Sequence, residues 1–91
     1  VMDMTYLGEN IIIINNHFKC CGDGYLDLDD PDDEETRRYL ASNLLKEYID
    51  TNFSNNNVIV LGDLNDIISD SMSDNVFWGF LQSDDFEFAD Y

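Results

Sequence analysis

Residues 10–18 read Asn-Ile-Ile-Ile-Ile-Asn-Asn-His-Phe, four consecutive β-branched side chains closed at each end by polar ones. Branching at Cβ crowds a helix and suits a pleated strand, so this run is expected to be a strand. It has no polar alternation, which predicts burial on both faces of a sheet. A second run, Val58-Ile59-Val60-Leu61, has the same character, and Gly62 ends it. Strands are therefore expected over about residues 10–18 and 58–63.

A helix is expected between them. Pro31-Asp32 can open it, with Asp32 capping and Glu35 reciprocating three positions later. Acids at 32–35 suit the positive end of a helix dipole. Leu40, Leu44, Leu45, Tyr48 and Ile49 recur at helical spacing and predict one apolar face running to about Asp50, with Arg37, Arg38, Lys46 and Glu47 mainly off it. Strand, helix and strand in that order predict a β-α-β unit or a helix packed on a mixed sheet, an α/β (α+β) class. Upstream, residues 6–10 look like the turn from a preceding strand. Downstream, Val76, Phe77, Phe80 and Leu81 predict a short helix after Asp74, and Phe86-Glu87-Phe88 alternates like the start of a strand.

Charge narrows the function classes. The 91 residues carry four Lys+Arg and twenty Asp+Glu, a formal net charge of −16. No basic footprint exists for gripping a phosphate backbone by counterion release. The longest uninterrupted apolar runs, Ile11 to Ile14 and Val58 to Leu61, are far short of a membrane span. No charged-then-apolar leader opens the chain, so no secretory address is expected from it. Apolar residues make up 44%, too many for a disordered acidic tail. Eight acids fall between Asp23 and Glu35 and eight between Asp63 and Asp90. The first group predicts an exposed acidic loop over 22–31, because like charges prefer solvent. That loop lacks the central Gly and terminal Glu of an EF-hand, which leaves only loose calcium binding by clustered carboxylates.

Cys20 and Cys21 are neighbours. Adjacent side chains on an extended chain point to opposite faces, so two thiols are expected rather than an ordinary disulfide. With no CxxC pair, a zinc site is unsupported.

Chemistry concentrates just past the two strands, at Asn16-His17-Phe18-Lys19 and Gly62-Asp63-Leu64-Asn65-Asp66. Polar residues beyond the carboxyl ends of sheet strands collect in one crevice, where ligands bind. Asp63 and Asn65 alternate, so both are expected on one side. Standing alone, a histidine after a strand and an Asp and Asn after a glycine more often serve as structural hydrogen-bonding and turn residues. Asp66 and Asp70 read as turn and capping acids. Trp78, Phe77 and Phe80, at helical spacing, read as core rather than as a base-stacking surface.

The order of these segments resembles the endonuclease/exonuclease/phosphatase superfamily, the deoxyribonuclease I-like metal-dependent phosphoesterases. The apolar strand ending in NNHFK, the Arg-containing helix ETRRYLASNLLKEYI and the strand VIVLGDLND, leading into Gly-Asp-x-Asn, carry the likeness over about residues 10–70. The resemblance implies that His17 donates to the scissile phosphate and stabilises transition-state charge. Asp63 would position or deprotonate the attacking water, and Asn65 would hold the phosphate. Lys19 would be a further phosphate contact, although a solvated lysine is the simpler reading. Arg37 would match a structural arginine of the helix. The cofactor implied is Mg2+, or Mn2+ or Ca2+ in its place, with Asp63 as a possible ligand. The substrate implied is nucleic acid, or else an inositol phosphate or phospholipid head group.

The family fold is a four-layer α-β-β-α sandwich whose site also draws on an early Asn and a metal-binding Glu, and on a late Asp-His pair. No matching Asn and Glu precede Ile11, and His17 is the sole histidine. Residues 1–91 are accordingly expected to be a partial domain, inactive alone, of a phosphoesterase. The alternative expectation is a non-catalytic acidic segment that binds calcium or a basic partner.

Overall fold

The isoleucine run forms the middle strand of a three-stranded sheet. This computed structural model describes residues 1–89, with elements β1 (Met2–Tyr6), β2 (Glu9–His17), α1 (Glu34–Asn52), β3 (Asn57–Asp63) and α2 (Trp78–Leu81). Asp90, the last of the C-terminal acids, lies outside the described residues. Strand order is β1-β2-β3, with β1 antiparallel and β3 parallel to β2. A parallel neighbour needs a crossover, and α1 supplies it. The mixed sheet and its helices are the α+β arrangement that the segment order predicts. Leu7 and Gly8, with φ of 50° and 83°, make the reversal into β2. Positive φ at both central residues matches the right-handed twist of a hairpin.

Burial follows parity along the strands. Ile12 and Ile14 are buried with Ile49 and Phe80, and Val58, Val60, Leu45 and Phe53 pack around them. Ile11 and Ile13 are half-buried, while Ile59 and Leu61 stay 47% and 44% exposed. The expected burial on both faces therefore holds on one. The core lies between the sheet and α1, and the face bearing Ile59 and Leu61 is open to solvent.

α1 starts at a different cap from the one expected. Asp33 caps it, its Oδ2 accepting from the Thr36 N–H at 2.8 Å. Asp32 lies one residue outside the cap position, in the turn where its N–H donates to Asp30 Oδ1 at 2.9 Å. The inward stripe also differs. Leu40, Leu44 and Tyr48 are exposed, whereas Glu35, Arg38, Ser42 and Ile49 are buried and Leu45 packs on the core. Spacings of three and four along 35, 38, 42, 45 and 49 define one helix face. Its first half is polar, so apolar side chains alone select the wrong stripe.

The C-terminal segment closes the core with aromatic rings. The expected short helix exists as α2, and Val76 and Phe77 are buried in the turn before it. Phe77 and Phe80 are core as expected, but Trp78 sits at the surface. Phe86 meets Phe80 edge-on at 4.9 Å between centroids, and Phe88 meets Phe77 at 5.8 Å. Residues 86–88 do not form the expected strand. Their alternation serves ring packing onto α2 instead of a backbone ladder. No helix among the described residues is long and apolar enough to cross a membrane.

Candidate functional site

The parallel register brings the two sequence signals together. His17 pairs with Asp63, and Asn16 with Gly62, at the carboxyl ends of β2 and β3. Adjacent strands lie about 4.8 Å apart, so His17 and Asp63 are immediate neighbours on the sheet. The Phe18 N–H donates to the Asp63 carbonyl at 3.0 Å and extends the ladder by one bond. Gly62, at φ 131°, lies so close to the backbone of Asn16 that any Cβ there would strike the Asn16 carbonyl. Gly62 is thus required by close strand approach, whatever the chemistry of Asp63.

Asn65 is placed by a turn rather than by strand alternation. β3 ends at Asp63, and Asn65 adopts a left-handed φ of 55°. Its N–H donates to Asp63 Oδ1 at 3.1 Å, and its Nδ2 donates to the Phe18 carbonyl at 2.8 Å. Asn tolerates this conformation better than most residues. The side chain therefore stitches the loop after β3 to the loop after β2. His17 and Asp63 are exposed and Asn65 is half-buried, so all three can meet a ligand at the sheet end. Lys19 is exposed beside them.

Arg38 holds these loops in place. It is 3% exposed, and its guanidinium reaches three segments at once. Nε donates to Asp66 Oδ2 at 2.7 Å, Nη1 to the carbonyls of Lys19 and Cys21 at 2.8 and 2.7 Å, and Nη2 lies 3.3 Å from Glu35 Oε1. A rigid fork of donors suits this task better than a lysine would. The structural arginine is therefore Arg38, not Arg37, which is exposed. One residue turns a helix by about 100°, so the adjacent position faces solvent. Spacing from Ser42, Leu45 and Ile49 would have identified it. Asp66, expected as a turn acid, is the ionic partner of Arg38 and also receives the Ile67 N–H at 2.8 Å.

Cys20 and Cys21 are joined by a disulfide across a cis peptide, with Cα atoms 3.2 Å apart. The expectation of two opposed thiols assumed an extended trans dipeptide, which this is not.

An open groove of about 790 Å3 runs from the strand end along the outer edge of β3. Asp63 and Asn65 line it, and His17 does not. Leu45, Val58, Phe77 and Phe80 supply an apolar floor, and the charged walls among the described residues are Asp63, Asp66, Asp85 and Glu87. An anionic ligand would meet repulsion there unless a cation accompanied it.

The acidic loop is exposed over most of its length but ordered by its own side chains. The N–H groups of Tyr25, Asp29 and Asp32 donate to the carboxylates two residues earlier. Leu26 N–H reaches Asp74 Oδ1 at 3.2 Å, and this bond, with those from Ser73 and Ser71, holds the Asp74 carboxyl below its ordinary value against a smaller opposing effect of burial. Burial works to raise the Asp33 carboxyl, but hydrogen bonds from the backbone N–H groups of Thr36 and Asp27 outweigh it and lower it. Asp23, Asp33 and Glu35 each place a carboxylate oxygen within 4.8 Å of the others, a group that could hold a metal ion. Sequence inspection missed this group because its members are spread along the acidic run and only folding selects them. Comparison with protein-family models, curated proteins and solved structures finds no match to this chain.

Proposed function

We propose that these residues belong to a divalent-metal-dependent phosphoesterase that hydrolyses phosphodiester bonds, with nucleic acid as the leading substrate class. The observation that supports it is the β2–β3 register, which sets His17 beside Asp63 with Asn65 bonded to both strand ends. Phosphodiester hydrolysis needs an activated water and donors for the charge that develops on oxygen. Asp63 accepts from Asn65 through Oδ1, and its exposed carboxylate is the group to orient or deprotonate a water. The His17 imidazole, one strand away, is the donor toward a phosphate oxygen. Asn65 holds the Asp63 carboxylate and the Phe18 carbonyl in register, so the pair reaches substrate pre-aligned.

One free carboxylate beside an open surface fits Mg2+, which keeps several waters and is held by one or two carboxylates plus substrate phosphate. When bound there, the ion would neutralise phosphate charge and lower the pKa of a water. The same reading implies a second sheet over the open face, in the manner of a four-layer sandwich, and the exposure of Ile59 and Leu61 supports that part. A small phosphoester, such as an inositol phosphate or a phospholipid head group, is the second substrate reading. The acidic residues that line the groove are the observation that supports this second reading.

The test is hydrolysis by the full-length protein that carries these residues, assayed with Mg2+ on duplex DNA, RNA, inositol phosphates and sphingomyelin. Turnover of one class that stops with EDTA and returns with Mg2+ is expected. Turnover that survives EDTA contradicts the reading.

A further inference from the structure

The carboxylate group at the start of α1 is unlike the rest of the acidic loop. Glu35 is 2% exposed, and its Oε2 is buried without a hydrogen-bond partner. Its Oε1 is already occupied by the Gly24 N–H at 2.7 Å and by Arg38 at 3.3 Å. A buried carboxylate oxygen left without a partner is costly, and native folds seldom leave one so. Gly22, at φ 111°, lies against that carboxylate, and any Cβ at this position would collide with both oxygens. Glycine at position 22 is thus what admits the Glu35 carboxylate to this place.

Asp23 and Asp33 converge on the same place. With Glu35 they put three carboxylate oxygens within 4.8 Å of one another, the largest separation at which two oxygens can both touch a Ca2+ at about 2.4 Å. Arg38 is the one cation paired here, and it is shared with Asp66. Like charges drawn this close are stabilised by a cation between them.

We infer that Asp23, Asp33 and Glu35 bind a single Ca2+ that fastens the 22–33 loop to the start of α1. Glu35 supplies its unpartnered oxygen, Asp33 its oxygen not engaged in capping, and Asp23 closes the site from the loop. Ca2+ accepts an irregular cage of protein oxygens and water. Mg2+ demands a near-ideal octahedron and is seldom held by protein ligands alone. This site is separate from His17, Asp63 and Asn65, and it does not depend on the phosphoesterase reading.

The experiment is calorimetric titration of CaCl2, and separately MgCl2, into the chelator-stripped chain in about 0.15 M KCl, where diffuse surface attraction is screened. One saturable Ca2+ site is expected, at least about tenfold tighter than for Mg2+. Asp23→Asn and Glu35→Gln should each weaken it by about tenfold or more. Asp23→Asn keeps the acceptor for the Tyr25 N–H, so its fold should survive even where Glu35→Gln disturbs the Arg38 pair. The control is Asp29→Asn with Asp30→Asn, which removes two charges from the same loop outside the group. It should leave affinity within about twofold if the site is specific. Absence of a saturable site, unchanged affinity in Asp23→Asn, or equal weakening in the control would each overturn the inference.

Discussion

The two halves of α1 are fastened to the sheet by different forces. In the first half Glu35 and Arg38 are buried as an ion pair that reaches Asp66 and the carbonyls of Lys19 and Cys21. In the second half Leu45 and Ile49 pack against Ile12, Ile14 and Phe80. The apolar half needs only shape and volume. The ionic half is directional, and it joins the loops that follow β2 and β3. The first half ties down the loops that leave those strands, at Lys19, Cys21 and Asp66, while the β2–β3 register itself sets His17 beside Asp63.

That contrast can be broken at each end. Arg38→Ala should cost the most, about 3–5 kcal/mol in urea unfolding, since it leaves Glu35 and Asp66 buried without their cation. A cost under about 1 kcal/mol would show that the ionic half contributes little to holding the helix. Ile49→Ala should cost about 2–4 kcal/mol through lost burial and a cavity among Ile12, Ile14 and Phe80. If Ile49→Ala disturbed the NMR shifts of residues 17–19 as much as Arg38→Ala does, the division of labour would be wrong.

Smaller effects refine the picture. Asp33→Ala removes the acceptor of the Thr36 N–H and should cost about 1 kcal/mol at neutral pH. Because the Asp33 carboxyl is held below its ordinary value of 3.8, its contribution is present above that value. It is lost as pH falls through the lowered folded pKa. The gap between wild type and Asp33→Ala should therefore narrow only in strong acid. A gap that closes already between pH 5 and 7 would contradict the assignment. Least of all, Lys46→Ala should change stability by under about 0.5 kcal/mol. Its pair with Asp50, at 2.6 Å, is an i,i+4 contact in partly exposed surroundings. Salt should erase what little it contributes.

Much of this organisation was legible in the residues, and the failures have a common cause. β-branched runs, a Gly turn and strand–helix–strand order give β2, α1 and β3 because local propensity and tertiary packing agree there. The resemblance to phosphoesterases pointed to His17, Asp63 and Asn65; the register makes the first two neighbours, and hydrogen bonds tie Asn65 to Asp63 and Phe18. What stayed hidden was polar burial. Glu35, Arg38 and Ser42 line the inward face of α1, and a periodicity of apolar side chains passes over them in favour of Leu40 and Leu44. The cap moved from Asp32 to Asp33 because competing Asx turns in a run of acids differ by single hydrogen bonds. The cysteine pair escaped alternation because β2 ends at His17 and neither cysteine lies on a strand.

We propose that the two strand ends form one phosphoester-hydrolysing site. Its most direct measurement is Mg2+-dependent turnover of bis(p-nitrophenyl) phosphate by the full-length protein and by its Asp63→Ala variant, with circular dichroism and Tm as folding controls. Asp63→Ala should lower kcat by about 10²-fold or more, the usual contribution of a positioned base, while the fold is unchanged. Turnover within about twofold of wild type would contradict the account.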